Sequence, residues 1–182
     1  MDSVHLPSDE LRNRLSKIKL LALDVDGILT DGGMYYTEQG DEMKRFSTLD
    51  GMGISLLRQT GVEVAIITRE NTNIVAHRAK KLKIGEVHQG ILDKVPTLRA
   101  IAVRMGVDME EVAYAGDDVN DIPPMRIAGL AFSVPHATAE VKKYADYVTI
   151  RSAGDGAVRE ICDLIRIAQG HPEAGEFGEQ NQ

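Results

Sequence analysis

"LLALDVDGILTDGG", Leu20 to Gly33, carries four apolar residues into a segment holding three aspartates, Asp24, Asp26 and Asp31, and three glycines. An apolar run without alternation marks a strand covered on both faces, as in parallel sheets, so 18–25 is expected to be a buried strand that stops at the aspartates. The same pattern of a short apolar run ending in polar residues recurs along the chain. "VEVAIIT" (62–68), "GEVHQG" (85–90), "EEVAYAGDD" (110–118), "LAFSV" (130–134) and "DYVTI" (146–150) read as further strands.

Helical patterns lie between them. They are "SDELRNRLSK" (8–17) with Ser8 as N-cap, "TLDGMGISLLRQTG" (48–61) ending at a glycine, and "ENTNIVAHRAKKLKI" (70–84). "KVPTLRAIAVRMG" (94–106) follows, with Pro96 tolerated in a first turn, then "VNDIPPMRIAG" (119–129), "ATAEVKKYA" (137–145) and "GAVREICDLIRIAQG" (156–170). Such alternation implies right-handed βαβ units on a doubly wound, Rossmann-like α/β fold, mostly parallel, with helices on both faces. "GMYYTEQGDEMKRFS" (33–47) places aromatic and β-branched residues on each side of a polar turn, so a β-hairpin, about 32–47 and turning near Gly40, is expected after the first strand. We read 1–170 as one domain without a separate cap domain, and 171–182, rich in Gly and Glu, as a mobile tail.

The 182 residues are 43% apolar and 27% charged, without tryptophan, which is an ordinary globular composition. A net charge of −7 with scattered basic residues argues against nucleic-acid binding, and no run reaches the roughly 18 apolar residues of a membrane span. A cytoplasmic protein is expected. The single cysteine, Cys162, lies on an apolar helix face and is given no redox role.

In an open α/β sheet ligands bind beyond the carboxyl ends of the strands. Asp24 and Asp26 end the first strand, Thr68 the second, Lys94 follows the third, and Asp117, Asp118 and Asp121 follow the next. So many carboxylates at one edge repel one another unless a hard cation sits among them, and Mg2+ suits an all-oxygen set; no Cys or His pairing indicates zinc. A cation, a lysine and a hydroxyl together are equipment for stabilising a transferring phosphoryl group. Taken singly, each residue has a plainer reading as a turn, cap or surface charge. Their concurrence at four strand ends favours the site.

"DVDGILTDG" (24–32), Thr68, Lys94 and "GDDVND" (116–121) resemble, in order and spacing, the four motifs of the haloacid dehalogenase superfamily of phosphohydrolases. Within it, "GDEMKRFSTLDGMGI", "HQGILDK" and "GDGAVREICDLI" are similar to the capless phosphatases of 3-deoxy-2-ulosonic acid phosphates, whose best-known member acts on 3-deoxy-D-manno-octulosonate 8-phosphate in lipopolysaccharide precursor synthesis. The resemblance implies Asp24 as nucleophile, Asp26 as acid and base, and Thr68 and Lys94 as phosphate ligands. It further implies Mg2+ held by the Asp24 carboxylate, the Asp26 carbonyl and Asp117, with Asp118 and Asp121 supporting. It also implies a homotetramer in which a neighbour's hairpin and tail close the site. The apolar hairpin residues Met34, Tyr35, Tyr36, Met43 and Phe46, poorly buried on a monomer, agree with that.

Specificity is less legible. Arg69 and Glu70 stand where octulosonate phosphatases carry Gly-Arg, while Glu70 with Lys81 is similar to relatives acting on nine-carbon ulosonate 9-phosphates. On one helix spanning 70–82 the two would lie about 16 Å apart on one side. Asp50 is expected either to reach a substrate hydroxyl or to cap a helix. The eight-carbon substrate is placed first and the nine-carbon one second. A phosphotransferase and a non-catalytic assembly or regulatory module are the readings from other classes.

Overall fold

The structure is a computed structural model that describes residues 8–171. The chain runs α1 (Asp9–Leu15), β1 (Leu20–Leu23), a hairpin of β2 (Tyr35–Tyr36) and β3 (Glu42–Met43), and α2 (Thr48–Gln59). It continues through β4 (Glu63–Ile67), α3 (Asn73–Lys81), β5 (Glu86–His88), α4 (Lys94–Met105), β6 (Val112–Ala115) and α5 (Ile122–Ile127). β7 (Leu130–Ser133), α6 (Ala139–Lys142), β8 (Tyr147–Val148) and α7 (Ala157–Ala168) complete it.

Six strands form one sheet in the order β5-β4-β1-β6-β7-β8, and every pairing in it is parallel. Counting only these strands, this is the 3-2-1-4-5-6 order of a doubly wound fold, which reverses direction between β1 and β6. Side chains alternate across β1 as a strand requires: Leu21 and Leu23 enter one apolar layer, Leu20 and Ala22 the other. The first layer is completed by α1, α2, α3 and α7, the second by α4, α5 and α6. Between β1 and β4 lie only the hairpin and α2, and between β4 and β6 only α3, β5, α4 and a 3-10 turn, so no cap domain is inserted among the described residues.

Three expectations change. Thr72 caps α3 by accepting from Val75 N, so the helix starts at Asn73 and Glu70 lies in the loop before it, not on a shared helix with Lys81. The helix expected over 119–129 splits into a 3-10 turn (Val119–Asp121) and α5, because Pro123 and Pro124 lack the donors a continuous helix needs and fit only its first turn. Phe46 joins the core periphery under Arg78 rather than the exposed hairpin face. The tail expected at 171–182 lies, beyond His171, outside the described residues.

Asp50 is the capping residue of the two alternatives. Its carboxylate, 1% exposed, accepts from Arg159 N at 2.9 Å and Gly156 N at 3.4 Å. The N-cap of α7 is Gly156, which has no side chain to cap with, so α2 supplies the missing acceptor across the core. We therefore expect Asp50→Ala to lower stability by about 1–2 kcal/mol in denaturant melts, by loss of a helix cap, while leaving KM unchanged; a raised KM at native stability would return Asp50 to the substrate.

Candidate active site

Asp24 extends β1, its N–H bonded to Ala115 O of β6, so the nucleophile candidate stands at the switch point of the sheet. Beyond it the chain curls tightly. Thr30 Oγ1 accepts from Gly27 N and Gly32 N, organising the turn that carries Asp26 away from the strand. Gly27 has φ +80°, and a Cβ there would fall 2.0 Å from Asp117 Oδ2. Its glycine thus serves both the left-handed backbone and the close approach of the Asp117 carboxylate.

Lys94, the first residue of α4, is 1% exposed, and its Nζ lies 2.8 Å from Asp24 Oδ1 and 2.6 Å from Asp121 Oδ1. Burial pulls its pKa down, but the two carboxylates outweigh that and hold it above the usual lysine value. Asp24, Asp117 and Asp121 bring carboxylate oxygens within 4.8 Å of one another. Asp121 is already saturated. Its Oδ1 accepts from Lys94 and the Tyr114 hydroxyl, and its Oδ2 from the N–H groups of Asp117 and Asp118. That leaves Asp24 and Asp117 as carboxylates able to take a cation, a hard-oxygen donor set that fits Mg2+.

The electrostatics agree. Burial pushes the Asp24 carboxyl up to about 7, with Asp121 adding repulsion and Lys94 opposing it; burial, then Asp24 and Asp121, push Asp117 up to about 7 as well. Two neighbouring carboxyls that resist ionisation are relieved by a dication between them.

Thr68 directly follows β4, 1% exposed, with Oγ1 accepting from Glu70 N. Asp26 is half-buried, and burial raises its pKa against the pull of Lys44. Asp118 does not reach Lys94: it is exposed and spends its carboxylate capping the 3-10 turn through Val119 N at 2.7 Å. Lys81, exposed in the last turn of α3, contacts none of these residues. Glu70 does join the site, through Lys44 Nζ at 2.6 Å.

The sequence reading missed Lys44 and Tyr114. Tyr114 sits mid-strand with its ring covered and its hydroxyl on Asp121, where an apolar pattern conceals the polar end. Lys44 stands in the hairpin "EMKRF", whose alternation is too short to show which side faces the site.

Residues 53–161, over half of the chain, match the family of haloacid dehalogenase-like hydrolases. The chain belongs to this family. Among its relatives, the 3-deoxy-D-manno-octulosonate 8-phosphate phosphatase KdsC of Yersinia pestis is 40% identical over 162 residues, 89% of this chain and 87% of that protein. The same enzyme from Moraxella catarrhalis, solved with magnesium, phosphate and KDO, superposes with a TM-score of 0.87 at 40% identity, covering 90% of this chain and 94% of that one. A probable phosphatase from Pseudomonas syringae gives 0.89 at 45% identity, covering 92% and 95%. These hydrolases share the doubly wound sheet described above.

Two outcomes follow from the carboxylate geometry. In the unfolded chain Asp24 and Asp117 titrate near 3.8, so between about pH 4 and 7 the folded, metal-free protein retains protons that the unfolded chain has released. Stability from this source is full at low pH and lost as pH rises through about 7. The metal-free Tm of wild type should therefore fall relative to Asp117→Asn between pH 5 and 8, and Mg2+ should raise it most at the alkaline end; a relative rise would contradict the geometry. Gly27→Ala should cost about 1–2 kcal/mol for its left-handed backbone and weaken Mg2+ binding by roughly tenfold or more through the displaced Asp117, as read by calorimetric titration.

Proposed function

We propose that the chain is a Mg2+-dependent phosphoric monoester hydrolase that removes the terminal phosphate of a 3-deoxy-2-ulosonic acid phosphate, with 3-deoxy-D-manno-octulosonate 8-phosphate as its substrate. The observation that carries the reading is the convergence of Asp24, Asp117 and Lys94 at the switch point, on a chain 40% identical to phosphatases of that substrate.

In this proposal an Asp24 carboxylate oxygen attacks phosphorus, the ester P–O bond breaks, and Asp26 donates its proton to the departing alkoxide. Asp26 then takes a proton from water, whose oxygen attacks the aspartyl-phosphate and frees Asp24 and inorganic phosphate. Burial moves the Asp26 pKa upward against Lys44, the direction a proton donor needs. Thr68 and Lys94 hold phosphate oxygens, and Asp121 aims Lys94 by its 2.6 Å hydrogen bond. Asp24, Asp117 and the Asp26 carbonyl would hold Mg2+, which neutralises charge on the transferring phosphoryl group.

The exposed apolar residues of the hairpin, Met34, Tyr35, Tyr36 and Met43, support a homotetramer in which neighbouring hairpins cover open sites. We place the enzyme in the cytoplasm; no helix among the described residues is long and apolar enough to cross a membrane. The nine-carbon ulosonate 9-phosphate is the second reading, favoured by Glu70, which the structure puts beside Asp26 through Lys44.

Phosphate release from the eight-carbon and nine-carbon esters, with Mg2+ and then with chelator, tests this directly. We expect release from the eight-carbon ester at the higher kcat/KM, abolition by chelator, and a loss of about 10³-fold or more in Asp24→Asn. Hydrolysis of simple esters with neither ulosonate accepted would discard the substrate; an active Asp24→Asn would discard the mechanism.

A further inference from the structure

Lys44 follows β3, and its side chain has no solvent exposure although it comes from a hairpin. Its Nζ donates to Asp26 Oδ1 at 2.7 Å and Glu70 Oε2 at 2.6 Å, and Glu42 Oε1 lies 3.1 Å away as an ion pair. An ammonium has three donors and no acceptor, and here three carboxylates from three segments surround it: the turn after β1, β3 itself, and the loop after β4. Withdrawing such a charge from water costs several kcal/mol, which the hydrogen bonds must offset. A surface hairpin has no structural need of so costly an arrangement.

The geometry at Asp26 is one-sided. Lys44 occupies Oδ1, while Oδ2 accepts no hydrogen bond among the described residues. A carboxyl that transfers a proton needs one oxygen held and the other free, because terminal carboxylate torsions are broad and soft. We infer that Lys44 is a positioning residue for Asp26, fixing one carboxylate oxygen so that the other is presented to the leaving group, with Glu70 and Glu42 bracing the ammonium. This rests on the hydrolase reading above, in which Asp26 moves the proton. When Oδ2 gives its proton to the alkoxide and the P–O bond breaks, the carboxylate left behind has Lys44 as its counter-ion.

The role separates from simple tethering of the hairpin by the leaving group. An alkoxide needs a proton as it departs, whereas p-nitrophenolate does not. With Mg2+-loaded, full-length protein, we expect Lys44→Met to lower kcat for the ulosonate phosphate by about 10²-fold, with KM moving about threefold or less, and to lower kcat for p-nitrophenyl phosphate by about tenfold or less. Lys44→Arg should recover part of the alkyl-ester rate. Asp26→Asn is the reference, expected to show the same split more steeply. The Mg2+-dependent rise in Tm identifies folded variants; if Lys44→Met lacks it, Lys44→Gln and Lys44→Arg carry the same comparison. Equal losses on both esters for the folded lysine variants, beside a split in Asp26→Asn, would overturn the positioning role and leave the hydrolase reading intact. Equal losses in Asp26→Asn itself would overturn the acid–base reading and this inference with it.

Discussion

Lys94 Nζ sits between the carboxylates of Asp24 and Asp121 with its side chain wholly removed from solvent, and the functional edge of the sheet is organised around that ammonium. The three residues of this contact come from just past β1, the start of α4 and the 3-10 turn after β6, so it joins both sides of the switch point. Burying the charge costs several kcal/mol, and removing one partner of such a group leaves the others uncompensated at about 3–5 kcal/mol. Asp121 secures the arrangement by using all four of its acceptor positions on Lys94, Tyr114 and two backbone N–H groups. It is the rigid member, which leaves Asp24 and Asp117 free for chemistry.

The same ratio of acids to lysine occurs twice. Asp24, Asp117 and Asp121 cluster where Lys94 pairs with the first and last of them; Asp26, Glu42 and Glu70 all pair with Lys44. The first group stays under-neutralised, and its two unsaturated members hold protons up to about pH 7 until a dication replaces them. In the second, the lysine is directed chiefly at Asp26 and Glu70, with no cluster of carboxylates drawn together as a metal set among the described residues. Strand alternation would keep Asp24 and Asp26 on one face; they join different groups because β1 ends at Leu23 and the chain turns at Val25. Asp24 and Asp26 thus have separate electrostatic environments two positions apart.

What was legible in the sequence is what is encoded locally. The apolar runs of β1, β4, β6 and β7 announce strands buried on both faces, and the strand-end motifs place Asp24, Thr68, Lys94 and Asp117 because a parallel sheet leaves them no other edge. What was not legible depends on distant partners. Asp50 looks like a first-turn residue of α2, yet its hydrogen bonds go to a helix more than a hundred positions later. Glu70 reads as part of a helical segment because it adjoins the helical pattern of "NIVAHRAKKL", but Thr72 caps the helix and leaves Glu70 in the loop, where it meets Lys44. Lys44 itself has no local signature, since a three-residue alternation cannot say which face is inside.

That ambiguity in the hairpin is resolved by its register. Tyr35 pairs with Met43 and Tyr36 with Glu42, so Met43 and Lys44, adjacent in sequence, leave the ribbon in opposite directions. Met43 is 56% exposed beside its cross-strand partner Tyr35, whereas the Lys44 side chain is sealed against Asp26. A two-stranded ribbon of this size is not stable in water by itself, and its position depends on what it touches on each face. On the inner face it touches Asp26; on the outer face it leaves Tyr35 and Met43 exposed. The contact with Asp26 and the exposed apolar surface are thus two consequences of one strand's pleat.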